Sequence, residues 1–289
     1  MNAPLRPSDF VGELCVALAH RWEPERLFMI FTAYLDESGT HAGAKVSAMG
    51  GHVASARQWR KYSDRTHKLF KRYGVKKYHA INVRRGHGDF RGWTVDRKIK
   101  FLDDFQHVIN ETMEGAVVAF IRDEDYRFYR NLSWPKKTRP DSKYTIMFRG
   151  CFAHVVDLVG HIPQATEPRL HIVLEDGHPN AEDARRSYKW VRDRLPQAQR
   201  ALAGLTFCDK TELPVAAADH FAYNAWGDVV GQKPIGVSRE RTKSPDSYRG
   251  NAVWVDLNRD SLKSLHEQAI RVAYGGPSSL PPAIQELLS

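Results

Sequence analysis

Acidic side chains stand at the ends of two apolar stretches of this sequence and inside a third. Asp36 and Glu37 follow the run LFMIFTAYL, Glu175 and Asp176 end the run PRLHIVLED, and Asp219 interrupts the apolar stretch VAAADHFAY. Polar groups at the carboxyl ends of strands face the crevice in which open α/β sheets bind ligands. The pattern therefore predicts that carboxylates from three distant parts of the chain converge at one site.

Converging carboxylates are typical of sites for phosphodiester chemistry. Magnesium is a hard cation that takes carboxylate oxygens, and two such ions about 4 Å apart stabilise both the attacking and the leaving oxygen of a phosphodiester. Carboxylates that lie close together repel one another unless a cation lies among them. Asp219 gives the sharpest indication, because Asp is a poor helix former and is seldom buried without a partner. The acids thus favour a site for Mg²⁺ or Mn²⁺.

Each acidic position also has a simpler explanation. The segments DESG and EDG are typical of turns, since Asp and Gly adopt turn conformations at low cost. Asp219 would be an ordinary helix-buried acid if His220, His154 or an arginine satisfied its carboxylate. The convergence would be incidental only if the simpler explanation applied at all three acidic positions.

Basic residues elsewhere in the chain predict contacts to phosphate. His79 lies in KKYHAINVRRGHGDF, residues 76–90, and Lys210 precedes the apolar stretch around Asp219. Both residues are candidates for contacting a phosphate, and His79 also for transferring a proton. The alternatives are that residues 76–90 form a solvated basic loop and that Lys210 is an exposed loop lysine. A later basic stretch would contact a nucleic-acid backbone in a salt-dependent way, or would be a solvated flexible loop. Its residues are Lys233, Arg239, Arg241, Lys243 and Arg249.

Composition narrows the class of protein. The 289 residues include 43 Lys and Arg against 34 Asp and Glu, a formal net charge of +9, which favours a nucleic-acid partner, DNA or RNA. Cys15, Cys151 and Cys208 show no CxxC spacing, so we expect no disulfide framework or zinc site and a reducing, cytoplasmic location. The first residues contain acids and only a short apolar run, which predicts neither a signal peptide nor a membrane span. No GxxxxGK[ST], GxSxG or HExxH motif occurs.

Apolar periodicity predicts alternating strands and helices. Such alternation favours an α/β architecture with a mixed sheet, in which the first two strands form a hairpin and helical crossovers join the later ones. The predicted strands are 27–35, 45–55, 115–122, 168–177 and 204–209. The predicted helices are 57–73, 95–114, 141–160, 180–195, 213–231 and 258–273.

The same pattern predicts one main domain with an addition at each end. A short helix over residues 8–20 belongs to an N-terminal extension, residues 1–26. The main domain covers residues 27–231. Residues 232–289 are expected to form a basic loop and a C-terminal helical extension that packs on the same domain.

Several segments together resemble a known family. AYLDESGT with the following AMGGHVA, and later CDKTELPVAAADHFAYNAW, resemble the bacterial and phage family called domain of unknown function 3800. The resemblance spans roughly residues 30 to 230, and its specific parts are the DESG and AD segments. It implies a ribonuclease H-like fold, a mixed sheet of about five strands with helices on both faces. It also implies that acids on the first strand, a central strand and a late helix bind a divalent metal for phosphodiester cleavage.

Carried onto this chain, the resemblance assigns a role to each candidate. The implied metal ligands are Asp36, Asp219 and the strand-end acid, Asp176 or alternatively Glu175, and Glu37 assists as ligand or base. The implied substrate contacts are His79, Lys210 and Ser38. The chain departs from the family at Ala217, where many relatives carry Gln, and at Cys208-Asp209, where Asp-Ser is common.

These observations lead to an expected function and to alternatives. The expected function is that of a Mg²⁺- or Mn²⁺-dependent nuclease or phosphodiester-transfer enzyme. One alternative is a non-catalytic module that binds nucleic acid or a partner, within a phage-defence or mobile-element system. A third class is an enzyme acting on a small phosphorylated molecule, which would have a closed pocket too narrow for a strand.

Overall fold

A mixed sheet of six strands lies at the centre of the molecule, in the order β5-β4-β1-β2-β3-β6. Strand β2 is antiparallel to β1 and β3, whereas the pairs β1/β4, β4/β5 and β3/β6 are parallel. The strands are β1 (Ile30–Ser38), β2 (Val46–Ser55), β3 (Gly115–Arg122), β4 (Arg169–Glu175), β5 (Leu202–Cys208) and β6 (Asn251–Asp256). The computed structural model describes residues 30–41, 43–136, 138–160, 169–194, 201–232 and 251–273.

Helices cover both faces of this sheet. Helices α1, α2, α3 and α7 pack on one side, here called the α7 face, and α4, α5, α6 and α8 pack on the other, the α5 face. The helices are α1 (Ala56–Tyr73), α2 (Ala80–Arg85), α3 (Val95–Asn110), α4 (Asp123–Arg130), α5 (Lys143–Gly160), α6 (Ala181–Arg194), α7 (Leu213–Val229) and α8 (Arg259–Ala273). In the described part of the chain, no helix combines the length and apolar character needed to cross a membrane.

Alternating side chains of the central strand enter two separate cores. Ala33 and Leu35 of β1 pack in the core under α5, whereas Tyr34 packs on the α7 face, its ring centroid 4.6 Å from that of Trp59. Successive side chains of a strand point to opposite faces of the sheet. Asp36 therefore faces α7 and Glu37 faces α5.

Two glycines allow the close approach of the hairpin strands. A Cβ at Gly51 would lie 1.8 Å from the carbonyl oxygen of Tyr34, so no side chain fits at this position. Gly39, in the turn after β1, has φ 69°, and a Cβ there would lie 2.3 Å from Nε1 of Trp226. The glycine pair of β2 and the glycine of DESG thus have structural roles.

The predicted order of strands and helices is confirmed for the hairpin, for β3 to β5 and for the longer helices. Strand β1 ends three residues later than predicted, at Ser38: Asp36 pairs with Gly50 and Ser38 with Ala48, so the acids of DESG lie within the strand rather than in the turn. Helix α3 ends at Asn110, four residues before the predicted end. The predicted helix over 8–20 and the basic residues from Lys233 to Arg249 lie outside the described residues.

Three elements were absent from the sequence prediction. Helix α2 lies in the segment predicted as a possible basic loop, and α4 follows β3 directly. Both are short, with six and eight residues, so they carry little periodicity. Strand β6 pairs with β3 at the edge of the sheet, so the region beyond residue 231 supplies part of the central sheet and not only a helix.

Candidate active site

The carboxyl ends of β1 and β4 bring together two of the predicted acids. The strands are parallel with Leu35 opposite Leu174, so Asp36 and Glu175 follow at the same level and point to the α7 face. Helix α7 packs on this face and supplies Asp219. Asp36, Glu37, Glu175 and Asp219 are called the acid cluster below, because burial, together with repulsion from Glu175 and Asp219, raises the pKa of both Asp36 and Glu37.

Asp36 is the most deeply placed acid of the cluster, only 5% exposed. The backbone N–H of Glu37 donates to its Oδ1 at 2.8 Å. Burial, followed by repulsion from Asp219, Glu37 and Glu175, raises the pKa of Asp36 well above its ordinary value. Among the described residues, no basic side chain forms an ion pair with this carboxylate.

Asp219 is buried and is satisfied by the start of α2. Its Oδ2 accepts the backbone N–H of Ala80 at 2.8 Å and lies 3.0 Å from Nδ1 of His79. The hydrogen bond to Asp219 raises the pKa of the His79 imidazole. Sequence reasoning named other partners, and these are occupied elsewhere: His220 bonds to the Tyr78 hydroxyl at 2.7 Å, and His154 to a backbone carbonyl of its own helix.

Glu175 is held by Lys210, which lies in the connection between β5 and α7. The Lys210 Nζ donates to Glu175 Oε1 at 3.1 Å, and this hydrogen bond raises the pKa of the lysine. About half of the Lys210 side chain is exposed, so the pair lies at the mouth of the site. The lysine predicted to contact phosphate is thus already paired with an acid of the cluster.

Glu37 lies on the opposite face of the sheet from the other three acids. Its Oε1 is 3.8 Å from Nε2 of His178, and the His178 ring stacks on Tyr144 with centroids 4.0 Å apart. The N–H of Asn180 donates to His178 Nδ1, so the proton of the neutral imidazole is on the nitrogen that faces Glu37. Burial, followed by repulsion from Glu175, raises the pKa of Glu37 to about 7.

Sequence reasoning did not identify His178 and Tyr144 as neighbours of the cluster. His178 directly follows the EDG segment, three residues after Glu175, and so carried a weak signal. Tyr144 comes from α5, 107 positions beyond Glu37. Burial, followed by repulsion from Glu37, raises the pKa of the Tyr144 hydroxyl. Burial lowers the pKa of His178, which favours its neutral form.

The structure does not bring Asp176 into the cluster. Its side chain is exposed, and its Oδ1 accepts the N–H of Gly177, which has φ 94°. The turn explanation therefore accounts for Asp176, and strand alternation places Glu175 on the α7 face instead. Ser38 ends β1 on the same face as Asp36 and is half-buried.

A narrow crevice lies on the α7 face beside Glu175 and Asp219. It encloses about 10 Å³, roughly the room of a single water molecule, and it is lined by Tyr78, His79, Glu175, Lys210, Val215, Ala216 and Asp219. Carboxylate oxygens suit a hard divalent cation. In the part of the chain that the structure describes, however, no three or more His, Cys, Asp or Glu side chains are grouped so that they could hold a metal ion. The carboxylate oxygens are suitable ligands for a divalent cation, but the described side chains, as they are arranged here, do not form a complete group of ligands.

Comparison with known proteins adds no relative. No family model matches the chain, and neither a curated protein nor a solved structure matches it significantly. The resemblance to the domain of unknown function 3800 family therefore rests on the DESG and AD segments alone. The acid cluster and its surroundings therefore carry the evidence on function.

Proposed function

We propose that the protein is a divalent-cation-dependent nuclease or related phosphodiester-transfer enzyme with the acid cluster as its active site. The observation that carries this proposal is Asp36, a carboxylate 5% exposed, surrounded by other acids and without a described basic partner. Such a group needs a proton or a cation to neutralise it. A bound Mg²⁺ or Mn²⁺ would supply that charge and would also stabilise the charge that develops on a phosphodiester.

The proposed ligands are Asp36, Glu175 and Asp219, with Glu175 in place of Asp176. Glu175 and Asp219 are paired with Lys210 and His79 in the structure, so these two bases neutralise part of the cluster's charge. A cation bound by these two acids would compete with both bases for the carboxylates. The released Lys210 and His79 would then contact the phosphate at the mouth of the crevice.

Glu37 is suited to proton transfer in the proposed reaction. A carboxyl with a pKa of about 7 exchanges a proton near neutral pH, where general acids and bases are most effective. The Nε2–H of His178, on the same side, is oriented toward Glu37. Glu37 would exchange its proton at the end of β1 on the α5 face, whereas Ser38, on the α7 face, would contact the substrate.

A ribonuclease H-like fold is part of the same proposal. The acids lie on the first strand, on the adjacent β4 and on the late helix α7, which is the distribution that the resemblance implies. A mixed sheet with helices on both faces also agrees with it. This agreement supports the fold assignment together with the metal-dependent chemistry.

Variants of neighbouring acids test the assignment. With Mn²⁺ or Mg²⁺ and labelled duplex and single-stranded DNA and RNA, we expect Asp36→Asn and Glu175→Gln to lose at least roughly a hundredfold in cleavage rate, because even the loss of an outer-shell partner of a metal ligand costs about 10- to 100-fold. Asp176→Asn is the matched control and should retain the wild-type rate, because its side chain lies outside the cluster. Wild-type cleavage by Asp36→Asn would refute the proposed site.

A second function is favoured by two observations on the same crevice. Its small volume and the lack of a formed ligand set among the described residues fit a non-catalytic nucleic-acid or partner-binding module. That module would show salt-sensitive binding but neither cleavage nor heat on titration with Mn²⁺. Calorimetry on the wild type and on Asp36→Asn separates the two functions.

A further inference from the structure

The positive charge of the chain is concentrated in one continuous segment. Residues 56–100, here called the basic segment, contain 15 of the 43 Lys and Arg residues but only 3 of the 34 acids. The rest of the chain holds 28 basic and 31 acidic residues, so its formal charge is slightly negative. The net charge of +9 therefore comes entirely from this segment.

The basic segment extends along the α7 face as far as the crevice. Helix α1 has 18 residues, a length of about 27 Å, and it ends at Tyr73, six positions before His79. Its apolar side is buried in the core of that face through residues such as Trp59, Tyr62 and Leu69. Its opposite side exposes Arg57, Arg60, Lys61, Lys68, Lys71 and Arg72.

The part of the segment nearest the crevice has a backbone fixed by hydrogen bonds. The N–H groups of Lys76 and Lys77 donate to Asp89 Oδ2 at 2.7 and 2.9 Å. The N–H of Ala80 donates to Asp219, a member of the acid cluster. The side chains of Lys76 and Lys77 are exposed, so two bases stand on a fixed backbone directly beside the site.

Several bases of the segment lack an acidic partner within the described residues. Arg65 pairs with Glu111, and Arg72 lies 3.9 Å from Asp104, whereas no described acid forms an ion pair with Lys77 or Arg91. A hollow of about 490 Å³ between α1 and α3 opens on the same surface; it is lined by Arg65, Lys68, Leu69, Arg72, His107, Val108 and Glu111. Unpaired, exposed bases that cover one face attract a polyanion.

The aromatic residues of the segment are not available for base stacking. Trp59, Tyr62, Phe70, Tyr78 and Phe90 are buried. The two that are half-buried, Tyr73 and Trp93, are also engaged: the Tyr73 hydroxyl donates to Asp104, and the Arg97 guanidinium lies 4.1 Å from the Trp93 ring centroid. Proteins that bind single strands stack bases on exposed rings. A surface of basic side chains without exposed aromatic rings suits the phosphate backbone of a nucleic acid whose nucleobases are already paired.

We infer that the basic segment is the docking surface for the phosphate backbone of a nucleic-acid duplex. A duplex bound along this segment would reach the crevice beside Lys76 and Lys77. The identification of the partner as a nucleic acid rests on the proposed function, whereas the charge distribution is independent of that proposal. Contacts to phosphates alone position a duplex without reading its sequence. The surface thus predicts binding that is sensitive to salt and indifferent to sequence.

The test is fluorescence anisotropy with a labelled DNA duplex of about 20 base pairs, about 70 Å long, and with one of its strands. EDTA is present, so no cleavage intervenes. At about 0.1 M salt we expect Lys76→Gln/Lys77→Gln to bind the duplex roughly tenfold more weakly, with a slope of log affinity against log salt that is shallower by about 2. The control, Lys189→Gln/Lys263→Gln, removes the same charge from exposed positions of α6 and α8 on the α5 face and should bind like the wild type.

Other results would overturn the inference. The inference fails if Lys76→Gln/Lys77→Gln binds the duplex with the affinity and the salt dependence of the wild type. It also fails if the control variant loses as much affinity, or if the wild type does not bind the duplex. Tighter binding of the single strand than of the duplex would refute the duplex as the occupant. If the binding results are as expected but Mg²⁺ and Mn²⁺ bring no cleavage, the proposed nuclease activity fails while the docking surface stands.

Discussion

Asp36 owes its proposed chemistry to its surroundings rather than to its residue type. The exposed Asp176 has the same side chain but forms a turn, whereas Asp36 is buried beside three other acids. Glu175 and Asp219 differ from Asp36 in having a basic partner each. At the residue scale, the site is therefore a set of acids that two bases neutralise only in part.

Lys210 provides a prediction about cation binding. In Lys210→Met the ion pair with Glu175 is absent and no longer competes with a cation for this carboxylate. We expect Mn²⁺ to bind roughly two- to fivefold more tightly by calorimetry, since exposed ion pairs contribute little. Lys189→Met on α6 is the control and should leave the affinity unchanged. Weaker Mn²⁺ binding by Lys210→Met would mean that the lysine supports the site instead of competing for it.

His171 provides a prediction about pH. This histidine of β4 is buried, its Nε2 lies 2.9 Å from Thr206 Oγ1, and burial lowers its pKa from 6.5 to about 4. As the pH falls below 6.5, the unfolded chain binds a proton before the folded one does, so stability is lost toward pH 4. In His171→Gln we expect the free energy of unfolding to fall less steeply over this range, by up to about 1.4 kcal/mol per pH unit. Urea unfolding at constant ionic strength measures both slopes, and equal slopes would contradict the role of His171.

The β1–β2 hairpin is the element that positions Asp36, and it depends on a close backbone contact. We expect Gly51→Ala to lower the free energy of unfolding by about 3 kcal/mol or more, because its Cβ would lie 1.8 Å from the Tyr34 carbonyl oxygen. Gly92→Ala is the comparison: Gly92 has φ 76° but no atom within 4 Å of the added Cβ, so its cost should be about 1 kcal/mol. Urea unfolding gives both values. A loss at Gly51 no larger than that at Gly92 would show that the strands separate easily at this point.

At the scale of the whole molecule, the last described strand and helix belong to the main domain. Strand β6 covers the edge of β3, and Leu257 and Leu262 lie in the core under α5. A chain that ends at residue 232 would expose this edge and core surface, and exposed strand edges pair with other chains. We therefore expect it to aggregate or to unfold without cooperativity, as size-exclusion chromatography and urea unfolding would show. A monomer with wild-type stability would instead confirm residues 232–289 as a peripheral extension.

The sequence by itself determined the α/β class, the hairpin and the main helices, because their apolar periodicity is strong and local. It also indicated Asp36 and Asp219 as candidate site residues, and it already contained the charge excess of residues 56–100. Only the tertiary structure decided that Glu175 and not Asp176 joins them, that Tyr144 and His178 flank Glu37, and that the bases lie beside the crevice. The physical reason is that strand register, helix packing and burial set which distant side chains meet and how strongly their charges interact.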